Sequence, residues 1–224
     1  MATSKLVLFD FDGTLVDSAP DLAAAVNRLR HDRNLPPLPY ELLRPVASHG
    51  ARGLLGTGLG LDTEHPDYAV VRQQFLDYYA ENITTLSHLF SGVETMLAGL
   101  KQSNLPWGVV TNKAIGLTRP IMAKFELDVE CKVLVGGDST PYLKPNPASL
   151  LLATSTYGIA PEQCIYVGDD LRDIQAGKAA GMPTIVANYG YCKDDDTVPT
   201  WGADAIANSP EELQQQLQEW GNKA

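Results

Sequence analysis

At 224 residues the chain has room for one large domain or a core with a modest insertion, and 44% hydrophobic with 20% charged residues is the composition of a folded protein. A formal net charge of -10 argues against nucleic acid as a partner, because that binding depends on lysine and arginine displacing counterions from phosphates. Cys131, Cys164 and Cys192 lack Cys-x-x-Cys spacing, so buried reduced thiols are expected instead of a disulfide framework or a thiolate zinc site.

The chain runs almost at once into Lys5-Leu6-Val7-Leu8-Phe9-Asp10, too short and too acidic afterwards for a secretory signal. No apolar run approaches the roughly 18 residues of a membrane span. A soluble cytoplasmic protein with no membrane partner, monomeric or homodimeric, is the expectation. Leu6–Phe9, Trp107–Val110, Lys132–Val135 and Ile165–Val167 are short continuous apolar runs, with Thr184–Val186 a fifth, and such runs suit strands buried on both faces of a parallel sheet. Between them, Gly92–Lys101 and Pro147–Tyr157 show helical spacing. This order predicts an α/β fold, a Rossmann-like doubly wound parallel sheet.

Residues 17–88 break that rhythm. A helical pattern over Asp21–Asp32, a glycine-rich loop over His49–Gly60 and a second helical pattern over Tyr68–Ile83 predict a small α-helical cap, inserted between residues 1–16 and 89–224 of a catalytic core. His31, His49, His65 and His88 all lie in or beside the insertion, so the core has no histidine to serve as base or zinc ligand. Lys193-Asp194-Asp195-Asp196 reads as a solvated charged loop. At the C-terminus Ser209 as N-cap, Pro210 behind it and Glu212 three residues on predict a helix with Leu213, Leu217 and Trp220 on one face.

In an open α/β sheet, ligands bind beyond the carboxyl ends of the strands. The residues found there are Asp10-Phe11-Asp12-Gly13, Thr111-Asn112-Lys113, Lys144 and Gly168-Asp169-Asp170-Leu171-Arg172-Asp173. Asp10, Asp12 and Asp169 gathered at one edge would repel unless a cation offset them, and all-oxygen ligation selects a hard metal, magnesium. A carboxylate attacking an anionic phosphoryl group needs the same charge offset. Asp10 suits a nucleophile that forms an acyl-phosphate, and Asp12 an acid that protonates the leaving alkoxide and then activates water. Thr111 and Lys144 would hold phosphate oxygens, and Gly13 permits the tight departure from the strand. Each position also has a plain structural use: Asp-x-Asp closes strands, Thr111 suits a helix cap, Lys144 suits the surface and Asp170 is the natural N-cap of the following helix.

Asp10-Phe11-Asp12-Gly13-Thr14-Leu15-Val16-Asp17-Ser18 resembles the first motif of the haloacid dehalogenase superfamily of phosphatases. Thr111 is similar to the second motif's Thr or Ser, Lys144-Pro145 to the third motif's lysine, and Gly168-Asp169 with Asp173 to the acidic fourth motif. The resemblance implies a helical cap after the first motif, Asp10 as nucleophile, Asp12 as acid/base, and Mg²⁺ held by Asp10, the Asp12 carbonyl and Asp169, with Asp173 joining directly or through water. Within the superfamily, Asp17–Leu22, Val110–Lys113, Gly136–Asp138 and Tyr189–Tyr191 resemble the phosphoglycolate phosphatases. Gly168–Ile174 and Trp201–Asp204 resemble the N-acetylmuramic acid 6-phosphate phosphatases. Where the first group has a Gly-Asn-Gly cap loop, this chain has Ala47-Ser48-His49-Gly50-Ala51-Arg52, which leaves both substrates open. Gly13, Thr111, Asn112, Lys144, His49 and Arg52 are the expected contacts to a small phosphorylated metabolite. The rivals are a phosphosugar mutase and, among non-enzymes, a receiver-like signalling module, which needs only about 120 residues and no insertion.

Overall fold

The computed structural model describes residues 5–192 and 196–223. In chain order the elements are β1 (Leu6–Phe9), β2 (Val16–Asp17), α1 (Ala19–His31), α2 (Tyr40–Leu43), α3 (Gly50–Leu59), α4 (Tyr68–Glu81), β3 (His88–Leu89), α5 (Val93–Gln102), β4 (Trp107–Val110), α6 (Ile115–Lys124), β5 (Leu134–Val135), α7 (Ala148–Tyr157), β6 (Cys164–Gly168), α8 (Leu171–Ala179), β7 (Thr184–Ala187), β8 (Ala205–Ala207) and α9 (Pro210–Asn222). The chain divides into two compact units, Met1–Val16 with Leu89–Ala224, and Asp17–His88.

The first unit is built on a sheet of order β5-β4-β1-β6-β7-β8 with parallel pairing, the α/β architecture expected from the sequence. β1 lies at its centre, with Phe9 in register with Val109 on one side and Val167 on the other. Every residue of β1 is fully buried, which is why the run is apolar throughout instead of alternating. Leu6 and Leu8 join a core cluster with Val110, Leu150 and Tyr166, while the Phe9 ring meets Trp107 edge-on at 6.3 Å.

Local chemistry sets the helix boundaries. The Ser209 hydroxyl accepts from the Glu212 amide, Pro210 opens α9, and Leu213 and Leu217 are buried. Asp170 likewise caps α8 by accepting from the Arg172 amide. Two expectations need correction, and one strand was not expected. The strand expected over Lys132–Val135 is confined to Leu134–Val135. β8 went unrecognised because Ala205-Ile206-Ala207 is only three residues long and two of them are alanine, and its position at the sheet edge leaves it partly buried. The stretch His49–Gly60, expected as a glycine-rich loop, is largely helical. A 3₁₀ turn over Arg44–His49 leads into α3. Interior Gly53, Gly56 and Gly58 cost α3 about 1 kcal/mol each. Leu54 and Leu55, fully buried in a unit where α3 packs on α1, each return about 1.5–3 kcal/mol and outweigh that cost.

Of the charged loop, residues 193–195 lie outside the described residues, and Asp196 is exposed. Cys164 and Cys192 are buried as expected, and Cys131 is half-buried; all three are free thiols. Among the described residues no helix is long and apolar enough to cross a membrane.

Inside the second unit, buried Asp21 at the start of α1 accepts hydrogen bonds from the Leu86 amide (2.9 Å), the Ser87 amide (2.8 Å) and the Ser87 hydroxyl (2.6 Å). These ties join the two ends of the inserted segment, and removing the carboxylate strands three donors. Asp21→Ala is expected to lower the unfolding free energy by about 2–4 kcal/mol, read from urea denaturation midpoints.

Candidate active site

The register of the sheet brings the ends of β1, β4 and β6 to one edge, so Asp10, Thr111 and Asp169 emerge as neighbours. Ligand oxygens of Asp10, Asp169 and Asp173 all lie within 4.8 Å of one another. Asp169 and Asp173 are almost completely buried. Lys144, buried as well, reaches this cluster from the loop after β5: its ammonium lies 2.9 Å from Asp10 Oδ1 and 2.7 Å from Asp173 Oδ1, and donates to the Tyr166 hydroxyl at 2.7 Å. Tyr166 donates in turn to the Val110 carbonyl at 2.8 Å.

Asp10 Oδ1 is buried and, although close enough to Lys144 for an ion pair, is angled so that it accepts no hydrogen bond among the described residues. Asp169 is held from two sides. The Tyr191 amide donates to its Oδ2 at 2.9 Å and the Thr14 hydroxyl to its Oδ1 at 3.3 Å. Two glycines make this possible. Gly13 leaves β1 at φ 84°, and a Cβ there would overlap the Asp169 carboxylate, while a Cβ on Gly190 would overlap both the Gly13 carbonyl and Asp169. The Tyr189 hydroxyl closes the arrangement by donating to the Thr14 carbonyl at 3.0 Å, with its ring edge-on to Phe90.

Burial holds Asp169 well above the usual carboxylate range, and Asp10 and Asp173 beside it push the same way. Asp173 is raised to about 7, again by burial, with Lys144 opposing. Burial alone would lower Lys144, but Asp10 and Asp173 outweigh it and raise the ammonium. Three acids thus cluster with a single ammonium among them, and a divalent cation would favour their ionised forms by offsetting the charge that burial and mutual repulsion penalise. The all-oxygen donor set, the unsatisfied Asp10 oxygen and the glycine-lined approach fit a hard cation.

The remaining expected residues sort as follows. Asp12 does not join the carboxylate cluster; its side chain pairs with Lys113 at 3.0 Å. Thr111 is buried and its hydroxyl accepts from the Lys113 amide. Asn112 clamps the Lys144 backbone, accepting from its amide at 2.8 Å and donating to its carbonyl at 3.1 Å. His49 ends the 3₁₀ turn and Arg52 lies in the first turn of α3; both are exposed and belong to the second unit. The sequence places Lys113 at the ligand edge but gives it no role, and Tyr166 escaped sequence reasoning. Lys113 stands in the same post-strand loop as Thr111, and Tyr166 is the polar member of an apolar strand, so position marked the first and chemistry the second.

A model of the haloacid dehalogenase-like hydrolases matches residues 7–187. A Pseudomonas aeruginosa protein named N-acetylmuramic acid 6-phosphate phosphatase is 42% identical over 93% of this chain and 92% of its own. A Xanthomonas campestris protein named phosphoglycolate phosphatase is 43% identical over 95% of this chain and 96% of its own. A crystal structure of a predicted phosphoglycolate phosphatase from Haemophilus somnus superposes with a TM-score of 0.83 at 30% identity, covering 97% of this chain and 99% of that one.

The raised carboxyls make stability depend on pH. Asp173 titrates near 3.8 when unfolded and about 7 when folded, so the folded protein binds that proton more tightly. The contribution is complete below the unfolded value and is lost as pH rises through the folded one. The melting temperature of cation-free protein is expected to fall from about pH 5 to about pH 8, and millimolar magnesium to suppress most of that fall, as followed by thermal denaturation.

Proposed function

This chain belongs to the haloacid dehalogenase-like hydrolases, and from that premise we propose that it hydrolyses a small phosphate monoester through an aspartyl-phosphate formed on Asp10. The observation that carries the proposal is the convergence of Asp10, Asp169 and Asp173 on one another, with Lys144 between two of them. An Asp10 carboxylate oxygen attacks phosphorus as the ester P–O bond breaks, and the leaving alkoxide takes the proton of the Asp12 carboxyl. The Asp12 carboxylate then takes a proton from water as the water oxygen attacks phosphorus. The Asp10–phosphorus bond breaks, inorganic phosphate departs and the Asp10 carboxylate returns. Thr111 and Lys144 hold phosphoryl oxygens. Asn112 acts through Lys144, whose backbone it clamps.

Magnesium is the cation we assign to Asp10, the Asp12 carbonyl, Asp169 and Asp173. When bound it offsets the negative charge that would otherwise keep the carboxylate and the phosphoryl group apart. The proposed substrate is 2-phosphoglycolate, the compound for which one relative is named. N-acetylmuramic acid 6-phosphate is the second reading, supported by a relative of nearly equal identity.

Residues 17–88 are proposed as a cap that selects the substrate, with His49 and Arg52 as its contacts. Among arginines of that unit, Arg28 pairs with Glu81, Arg30 donates to the Pro36 and Gly58 carbonyls, and Arg33 donates to the Leu29 carbonyl and Gln74. Those three support the unit's own fold through these bonds, whereas Arg52 is an exposed residue in the first turn of α3 with no such tie among the described residues.

A panel of phosphate esters with and without magnesium tests the function. Turnover of 2-phosphoglycolate that needs the cation is expected, and transfer of phosphate to a second sugar hydroxyl instead of water would replace hydrolysis with mutase chemistry. Asp10→Asn is expected to cut kcat by at least about 1,000-fold while circular dichroism and melting show a folded protein. Substantial hydrolysis by that variant would remove Asp10 as nucleophile. Arg52→Ala is expected to raise KM for the physiological ester by about tenfold and leave generic esters little changed, so an unaltered KM would take Arg52 out of substrate selection.

A further inference from the structure

We propose that Lys113 is a positioning residue for Asp12, fixing where the acid/base carboxyl lies; the inference rests on the covalent reading above. The Lys113 ammonium donates to both Asp12 oxygens, at 3.0 and 3.2 Å, across 101 residues of sequence. The two side chains are only 7% and 17% exposed, so this contact is ordered, unlike the mobile ion pairs of a protein surface.

The anchor itself is rigid. The Lys113 amide donates to the Thr111 hydroxyl at 3.2 Å, and the Lys113 carbonyl accepts from the Gly137 amide at 2.8 Å. An aspartate carboxyl turns about two side-chain torsions, and a contact to a single oxygen leaves the second of these loose. A contact to both oxygens holds each torsion. Asp12 also stands immediately before Gly13, where the backbone turns away from β1, so its own segment alone cannot dictate the direction of the carboxyl.

The consequence is a division of labour within one short loop. On the reading above Thr111 serves the phosphoryl oxygens, Asn112 holds Lys144 through its backbone, and Lys113 holds Asp12. Each ammonium meets a carboxylate of the first post-strand segment or its neighbours: Lys144 meets Asp10 and Asp173, and Lys113 meets Asp12. Proton transfer to the leaving oxygen, and later from water, requires the carboxyl within hydrogen-bond reach of each, so losing its anchor slows every step that uses Asp12 and spares any that does not.

The test compares 2-phosphoglycolate, whose alkoxide needs a proton to leave, with p-nitrophenyl phosphate, whose phenolate leaves without one. In magnesium-containing buffer, Lys113→Met is expected to lower kcat for 2-phosphoglycolate by at least about 30-fold with KM changed less than about threefold. With p-nitrophenyl phosphate the same variant is expected to release a rapid burst of nitrophenolate approaching one equivalent of enzyme, followed by slow turnover limited by water attack. Lys113→Arg, which keeps a cation beside both oxygens, is expected to recover about tenfold of the lost rate. Should Lys113→Met fail to fold, Lys113→Gln, which keeps one donor, takes its place with the same expectations. Equal loss on both substrates without a burst, or wild-type kinetics in the variant, overturns the inference. Acid quenching of the wild-type reaction separates the two levels: no trapped phosphoenzyme overturns the covalent reading and the inference with it, whereas trapping in the wild type with an unaffected Lys113 variant overturns the inference alone.

Discussion

Asp10 and Asp173 flank one buried ammonium at the carboxyl edge of the sheet with Asp169 beside them, and most of what is unusual in the fold follows from the need to keep them there. Burial alone penalises the charge of Asp169 and Asp173, and their mutual proximity adds to it. Left to itself such a group would swell, protonate or draw in water. It persists because each acid is placed from a strand end or a capped helix start whose position the sheet dictates: Asp10 from β1, Asp169 from β6, and Asp173 from the first turn of α8. Lys144 supplies part of the missing charge, and a divalent cation would supply the remainder.

The supporting residues are as specific as the acids. Tyr166 gives Lys144 a fixed acceptor inside the core and donates its own hydrogen bond to the Val110 carbonyl, so the ammonium is set by the strand next door. Tyr189, Gly190 and Tyr191 form a strap that ties Asp169 to the turn after β1, and it works only because Gly13 and Gly190 lack side chains where the two segments meet. A loop that contributes no acid therefore controls where an acid stands. Asn112 and Lys113 do the same on the other side of β1, one holding the Lys144 backbone and the other the Asp12 carboxylate.

Selectivity is proposed here as a separate matter from catalysis. The chemistry gathers in the unit that contains the large sheet, while residues 17–88 contain arginines mostly committed to internal hydrogen bonds, a helix rich in glycine and the exposed pair His49 and Arg52. Relatives of nearly equal identity are named for two substrates that differ greatly in size. Similarity over the whole chain therefore identifies the reaction type more firmly than the ester, because a phosphoryl group is common to both named substrates.

Much of this was legible in the sequence for local reasons. β1 and β4 are continuous apolar runs because both of their faces are buried, so composition alone reveals them; Asp170 and Ser209 cap helices through their own neighbouring amides; and Asp10, Thr111, Lys144 and Asp169 stand just past strands, where ligands bind in such folds. Other features had no local signature. The glycines of α3 speak for a loop until the burial of Leu54 and Leu55 is counted, and β8 is a strand because β7 offers an edge, not because Ala205-Ile206-Ala207 demands it. The pairing of Lys113 with Asp12, of Lys144 with Tyr166 and of Tyr191 with Asp169 joins segments between 22 and 101 residues apart. The chain by itself thus determined which residue types were present and which local element held each one, because propensity, capping and burial period act within a few residues. Only the tertiary structure decided which side chain faces which, because a hydrogen bond or an ion pair depends on distances of about 3 Å that the packing of the sheet, and nothing nearer in sequence, establishes.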